Sequence, residues 1–203
     1  LITGGTGTLG LAIAEKFRSM GSEVILLDVN KKQLEDQNLR KKFSLYLCDV
    51  TRRESFKKVL DRICLEYGGL DFVISNAGSA HQSEIAKLND SDLKKSFELN
   101  FFAHQIVASE SVELMKTQNI GGCLLFNISK QAINPGKDFG AYGTSKAALL
   151  ALCKQYALEY GSINIRSNGV NADRIESGLL TKTMINKRSK SRKITSDEYL
   201  KSN

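Results

Sequence analysis

Tyr142 and Lys146 stand four residues apart in Tyr142-Gly143-Thr144-Ser145-Lys146, within a stretch that reads as a helix from Tyr142 to Tyr160. A separation of four is about one helical turn, so phenol and ammonium project from the same face. A free tyrosine titrates near ~10, and bringing it to about 7 takes ~3 units, or ~4 kcal/mol. Positive charge in a desolvated site can supply that much. The pair therefore has the makings of a proton-transfer device, with Lys146 acting on the phenol.

A second constellation opens the chain. Thr3-Gly4-Gly5-Thr6-Gly7-Thr8-Leu9-Gly10 contains a GxGxxG pattern at Gly5, Gly7 and Gly10 and leads into an amphipathic stretch, Leu11 to Met20. Without side chains, such a turn can bend tightly and approach a pyrophosphate, whose charge is then held by amides at a helix N-terminus. Asp28 closes the next apolar run, about twenty residues on, where a carboxylate can accept the hydroxyls of an adenosine ribose. The same carboxylate repels a 2′-phosphate, which favours NAD over NADP; Lys31 and Lys32 soften that repulsion. The ordinary alternative makes Asp28 a cap for a helix starting near Lys31.

The elements that must position these residues alternate along the chain. Short apolar runs at Glu23 to Asp28, Phe43 to Cys48, Leu70 to Ser75, Gly122 to Ile128 and Asn164 to Val170 read as buried strands. Helical periodicity fills the intervals, most clearly from Arg52 to Tyr67, where Phe56, Val59, Leu60, Ile63, Cys64 and Tyr67 form one stripe. This is the pattern of an α/β, doubly wound parallel sheet, Rossmann-type, in a single domain spanning residues 1–203. Only Leu1 and Ile2 precede the glycine turn, and the chain stops soon after a short helix at Ser196 to Leu200, so the domain reads as truncated at both ends.

Taken in order, the glycine turn, Cys48-Asp49-Val50, Ser75-Asn76-Ala77-Gly78, Asn100, Ser129 and the Tyr142 to Lys146 segment resemble the short-chain dehydrogenase/reductase family along essentially the whole length. The resemblance implies a nicotinamide-dependent oxidoreductase acting on an alcohol or carbonyl. It makes Tyr142 the general acid/base, Lys146 a holder of the nicotinamide ribose as well, Ser129 a hydroxyl polarising the reacting oxygen, and Asn100 the support of a water relay from the lysine. It also places Gly4 to Gly10 along the cofactor, Asp49 and Val50 beside the adenine, and Asn76, Ala77 and Gly78 in the cofactor cleft. Pairing of helices around Asp90 to Lys116 and Tyr142 to Tyr160 into a homodimer or homotetramer follows from it too. Within the family, Asn127 to Ala141 and Asn171-Ala172-Asp173-Arg174-Ile175 look like the dehydrogenase domain of bifunctional rhamnulose-phosphate aldolase/short-chain dehydrogenase proteins, although the sequence carries no aldolase part. Singly, each site residue has a plainer use: Tyr142 in packing, Lys146 on a solvated face, Ser129 and Asn76 to Gly78 in turns, Asn100 as a core amide, Asp49 as a helix cap. The family's usual turn has glycine at the place of Thr8, and Pro-Gly at the place of Ala172-Asp173.

Lys130 beside Ser129 and Arg174 after the last strand would put two cations at one mouth, which suits a carboxylate or phosphate on a small, polar substrate; the plainer alternative leaves both solvent-facing or on cofactor phosphate, and the resemblance to aldolase-linked dehydrogenases implies a hydroxyaldehyde or sugar-derived alcohol. The segment Leu179 to Lys193 reads as a lid, with 179–203 the lid and an incomplete C-terminal region. Net charge is +7, but seven basic residues against two acidic ones from Ser177 onward leave only +2 before it. Such a basic tail without interleaved aromatics is a poor nucleic-acid site, and none is expected. Apolar runs are too short to span a bilayer, which makes a cytoplasmic enzyme the default. The four cysteines, Cys48, Cys64, Cys123 and Cys153, read as small buried hydrophobes, and two isolated histidines, His81 and His104, indicate no metal site. The competing function is a catalytically silent dinucleotide-binding module.

Overall fold

The computed structural model describes residues 1–173, 175 and 182–201. Six parallel strands form one sheet in the order β3-β2-β1-β4-β5-β6: β1 (Ile2–Thr3), β2 (Ile25–Asp28), β3 (Ser44–Leu47), β4 (Phe72–Ser75), β5 (Gly122–Asn127) and β6 (Ile165–Val170). Strand order reverses between β1 and β4, the place where an open α/β sheet leaves a crevice at its carboxyl edge. The strands are a residue or two shorter than their apolar runs, although flanking residues such as Val24, Cys48 and Ile128 still hydrogen-bond to the neighbouring strand.

Side chains alternate across the sheet, so successive residues of one strand feed two cores. Leu27 and Val73 pack with Phe56, Val107 and Leu149 on one face, while Leu26 and Ile74 pack with Ile2, Ala14 and Val24 on the other. Both faces are covered by helices, which explains why the strands are apolar without polar alternation.

The helix α1 (Thr8–Ser19) follows the glycine turn; α2 (Lys31–Leu34) and α3 (Gln37–Arg40) are short. The stripe in α4 (Arg53–Tyr67) buries Phe56, Val59, Leu60 and Ile63, and the helix ends at Gly68 in the left-handed region, φ 78°. Tyr67, expected in that stripe, is 38% exposed at its end. Next come α5 (Asp90–Phe97) and α6 (Ala103–Gln118), joined without a break by a π-helical turn at Glu98–Phe102. The 21-residue α7 (Gly140–Tyr160) crosses beneath β6 and carries Tyr142 and Lys146 one turn apart. Of the segment expected as a lid, 179–181 lie outside the described residues, and the remainder forms α8 (Lys182–Arg192), which packs on α9 (Ser196–Lys201). Cys48, Cys123 and Cys153 are buried thiols, whereas Cys64 is half-buried on α4. Among the described residues no helix is long and apolar enough to cross a membrane.

Candidate active site

A cleft of about 850 Å³ opens at the carboxyl ends of β1, β4 and β5. Gly4, Gly7, Thr8, Leu9 and Gly10 form one wall, with Asp28, Asp49 and Val50 at one end and Ser129, Tyr142 and Lys146 at the other. Gly4 has φ +59°, and a Cβ on Gly10 would come within 2.4 Å of the Gly4 carbonyl, so the turn closes only with glycine at both places. Gly5 and Thr6 sit behind this wall. Thr6 donates its N–H (3.1 Å) and hydroxyl (2.7 Å) to Oδ2 of Asp28, while Oδ1 accepts the N–H groups of Val29 and Asn30. The carboxylate is thereby aimed at the cleft mouth. Asn30, not Asp28, caps α2. Asp49 likewise does not cap α4: it accepts from Thr51 N (3.0 Å) and Oγ1 (2.7 Å), closing the turn before Arg52, the cap residue.

The floor is tied together by side chains far apart in sequence. Asn76 donates to the carbonyls of Thr3 (3.0 Å) and Gly4 (3.2 Å) and accepts from Asn127 (3.1 Å), linking β4 to its two neighbours. The Thr3 hydroxyl accepts the N–H groups of Asn76 and Ala77. Asn100, wholly buried in the π-helical turn, clamps Ser79 in both directions: it accepts Ser79 N–H (3.0 Å) and donates to Ser79 O (2.9 Å), with a further bond to Ser96 (3.2 Å). A π-turn at a functional site is a recurrent device for re-aiming one residue. The amide's two N–H donors are both engaged, at Ser79 O and Ser96 Oγ, so the side chain anchors the segment that directly follows Gly78.

Lys146 is 2% exposed and donates to the carbonyl of Asn127 (2.8 Å). Its Nζ lies 5.8 Å from the centre of the Tyr142 ring. Burial lowers the ammonium to about 7, since the charged form loses its hydration. Burial pushes the Tyr142 phenol up, and a hydrogen bond from the Ser129 side chain pulls it part-way back. Desolvation thus moves both groups toward their neutral forms. Neutral Tyr142 is a proton donor.

Lys130 departs from expectation. The extended Ser129 caps a single turn at Lys130–Ala132, which turns Lys130 out of the cleft wall and onto Asp173 at 2.6 Å. Arg174 lies outside the described residues. The residues that sequence reasoning missed are Thr3 and Asn127, which tie the floor, and Gln131, Phe139, Met184 and Arg188, which line the substrate end. Asn127 was the most accessible of them, as a polar residue ending an apolar strand two places before Ser129. His104 is buried under the floor, its Nδ1 2.6 Å from the Ser75 hydroxyl, and burial holds its imidazole well below the ordinary value.

The short chain dehydrogenase family model matches residues 1–188. The chain belongs to that family. "Uncharacterized oxidoreductase YuxG" of Bacillus subtilis (strain 168) is 32% identical over 185 residues, covering 88% of the chain but only 27% of the relative's length. Among solved structures, NAD+-bound xylitol dehydrogenase superposes with TM-score 0.86 at 28% identity, over 93% of this chain and 75% of the other. Sorbitol-6-phosphate 2-dehydrogenase SrlD from Erwinia amylovora reaches TM-score 0.89 at 20% identity, over 97% and 80%, which bears on the fold alone. The Rossmann-type architecture is shared throughout, and membership makes the protein an oxidoreductase of this family.

Proposed function

We propose that the protein moves hydride between NAD and a small polar alcohol or carbonyl, with Tyr142 as general acid/base. The observation that carries this reading is that Tyr142, Ser129 and Lys146 line the same cleft as the glycine turn and Asp28. The residues fit a nicotinamide dinucleotide: the glycine wall at Gly4, Gly7 and Gly10 and the Asp28 carboxylate border the same cleft as Asn76, Ser129 and Lys146. The Gly4 to Gly10 turn would hold the pyrophosphate, Asp28 the adenosine ribose, Asp49 and Val50 the adenine, and Asn76 to Gly78 with Lys146 the nicotinamide half. When bound, the nicotinamide accepts or delivers the hydride. The Ser129 hydroxyl orients the reacting oxygen, and the Tyr142 hydroxyl gives its proton to that oxygen in reduction and takes one in oxidation.

NAD is favoured over NADP because a 2′-phosphate would face the Asp28 carboxylate, whose bonds to Thr6, Val29 and Asn30 fix it in place. The likeness to aldolase-linked dehydrogenases rests on the two sequence runs alone and suggests a hydroxyaldehyde or sugar-derived alcohol. Pairing through α5–α6 and α7 into a dimer or tetramer, in the cytoplasm, completes the reading. The test is calorimetric titration with NAD and NADP, followed by absorbance of reduced nicotinamide over a panel of neutral, carboxylated and phosphorylated alcohols. Tighter binding of NAD and turnover of at least one small polar alcohol are expected. Equal affinities would remove the role of Asp28, and NAD binding with no turnover of any kind would leave a silent dinucleotide-binding module.

A further inference from the structure

The hydrogen-bond ladder between β5 and β6 runs on past both strands. Ile128 N–H donates to the Val170 carbonyl at 3.0 Å, and Lys130 N–H donates to the Ala172 carbonyl at 3.1 Å. Ser129 lies inside that extension, so the chain leaving β6 is laid beside it. The next residue along, Asp173, lines the cleft together with Ser129 and Tyr142. Lys130 is not part of the lining, and its ammonium donates to Oδ2 of Asp173 at 2.6 Å.

This ion pair has a plain use in tying two loops, but the backbone bond from Lys130 to Ala172 already ties them. With its side chains 44% and 34% exposed, the pair adds little holding power. What it sets is the chemistry of the rim. The lysine charge is answered by the carboxylate, so the cation beside Ser129 is not offered to a ligand. Oδ2 is taken by the ammonium, while Oδ1 has no partner among the described residues. A carboxylate accepts and cannot donate, so Oδ1 calls for an N–H or O–H on whatever occupies the cleft. An anionic oxygen group there would set acceptor against acceptor and like charge against like charge. The cations that do line the cleft have acceptors or rings of their own: Lys146 the Asn127 carbonyl, Lys95 the Asp92 carboxylate, Arg188 the Phe139 ring and the Tyr199 hydroxyl.

We propose that Asp173 accepts a hydrogen bond from a second hydroxyl of the substrate, which makes that substrate a neutral polyol or hydroxyaldehyde and not a carboxylate or phosphate. This rests on the oxidoreductase reading above and adds the substrate class to it. It reverses the expectation of an anion held by Lys130, because the structure pairs that lysine with the carboxylate. The carboxamide of the cofactor carries the same kind of donor, but the place of Asp173 beside Ser129, which orients the reacting oxygen, favours the substrate.

The test compares four three-carbon alcohols, n-propanol, propylene glycol, glycerol and glycerate, with the native chain, Asp173→Ala, Asp173→Asn and Lys130→Met. Calorimetry gives NAD affinity alone and alcohol affinity at saturating NAD, and kcat and KM follow from reduced-nicotinamide absorbance. A hydrogen bond to a charged group is worth about tenfold or more in affinity, so propylene glycol or glycerol should bind the native protein at least that much tighter than n-propanol and glycerate. Asp173→Ala should erase the preference through KM, with NAD affinity within twofold of native. Asp173→Asn keeps an accepting oxygen without the charge, so it should retain part of the preference over n-propanol and lose the preference over glycerate. Lys130→Met breaks the same ion pair but leaves the carboxylate, and the preference should persist in it, whereas a purely structural ion pair would make it behave like Asp173→Ala. Absence of the preference in the native chain, equal effects of Lys130→Met and Asp173→Ala, or a tenfold loss of NAD affinity in Asp173→Ala would overturn the proposal. Failure of the native chain to bind NAD would instead refute the oxidoreductase reading.

Discussion

Replacing Lys146 with methionine should abolish turnover and make the protein more stable at neutral pH. An unfolded lysine titrates at 10.5, while burial holds Lys146 at about 7, a difference of about 3.5 units. At ~1.4 kcal/mol per unit, the folded state carries a penalty of up to ~5 kcal/mol below pH ~7, about 4 at pH ~7 and about 2 at pH ~9. Because the folded-state value is depressed, the unfolded chain binds more protons throughout this window. The penalty is fully present below about 7 and fades as pH rises toward 10.5. Methionine removes the penalty but leaves the Asn127 carbonyl without its 2.8 Å donor, which costs ~1–3 kcal/mol. A net gain of about 1–3 kcal/mol at pH ~7 is left, a few degrees in Tm for a chain of this size. The cleanest readout is a double difference: urea unfolding of native and variant at pH ~7 and ~9. The advantage of the variant should shrink by about 2 kcal/mol over that interval, since all other titrating groups cancel. An advantage that does not change with pH would mean that Lys146 keeps its charge in the folded protein, and the account of how burial sets this site would be wrong.

Three further outcomes follow from the same geometry. Carbonyl reduction should keep its rate from neutrality upward, and alcohol oxidation should accelerate only as pH approaches and passes the ordinary phenol value of ~10, because burial raises the Tyr142 phenol and its neutral form is the donor; pH profiles of the steady-state assay in the two directions are the check. Asp28→Ala should narrow the NAD-to-NADP affinity ratio tenfold or more by removing the carboxylate that a 2′-phosphate would face, read by paired titrations. Asn100→Ala should weaken NAD binding by ~1–3 kcal/mol, since the Ser79 N–H and carbonyl lose their clamp and the cofactor-lining run is released; thermal unfolding with and without NAD separates this from global destabilisation.

What could be read from the sequence was what repeats locally. Strand runs, the α4 stripe, the one-turn spacing of Tyr142 and Lys146, and the glycine turn each declare themselves within a window of twenty residues. The floor of the site does not, because it is made of contacts such as Asn76 with Thr3, 73 residues apart, and Asn127 with Asn76, 51 apart. The sign of the shift at Tyr142 was equally out of reach: spacing places the ammonium near the phenol, but only the packing of α7 reveals that both groups are desolvated. Arg188 was hidden for a third reason. In a basic run from Lys182 to Lys193 it looks like one solvated cation among several, and its stacking on Phe139 and bond to Tyr199 belong to tertiary structure alone.

The central claim is that one cleft binds the dinucleotide and that Tyr142 moves the proton that accompanies hydride. Parallel measurement of NAD affinity and of reduced-nicotinamide formation in the native protein and in Tyr142→Phe tests it most directly, since the substitution deletes a transferable proton and almost no volume. Turnover should fall by ~10²-fold or more with NAD affinity within about twofold of native. Turnover retained in Tyr142→Phe at the native rate would contradict the claim and place the acid/base group elsewhere.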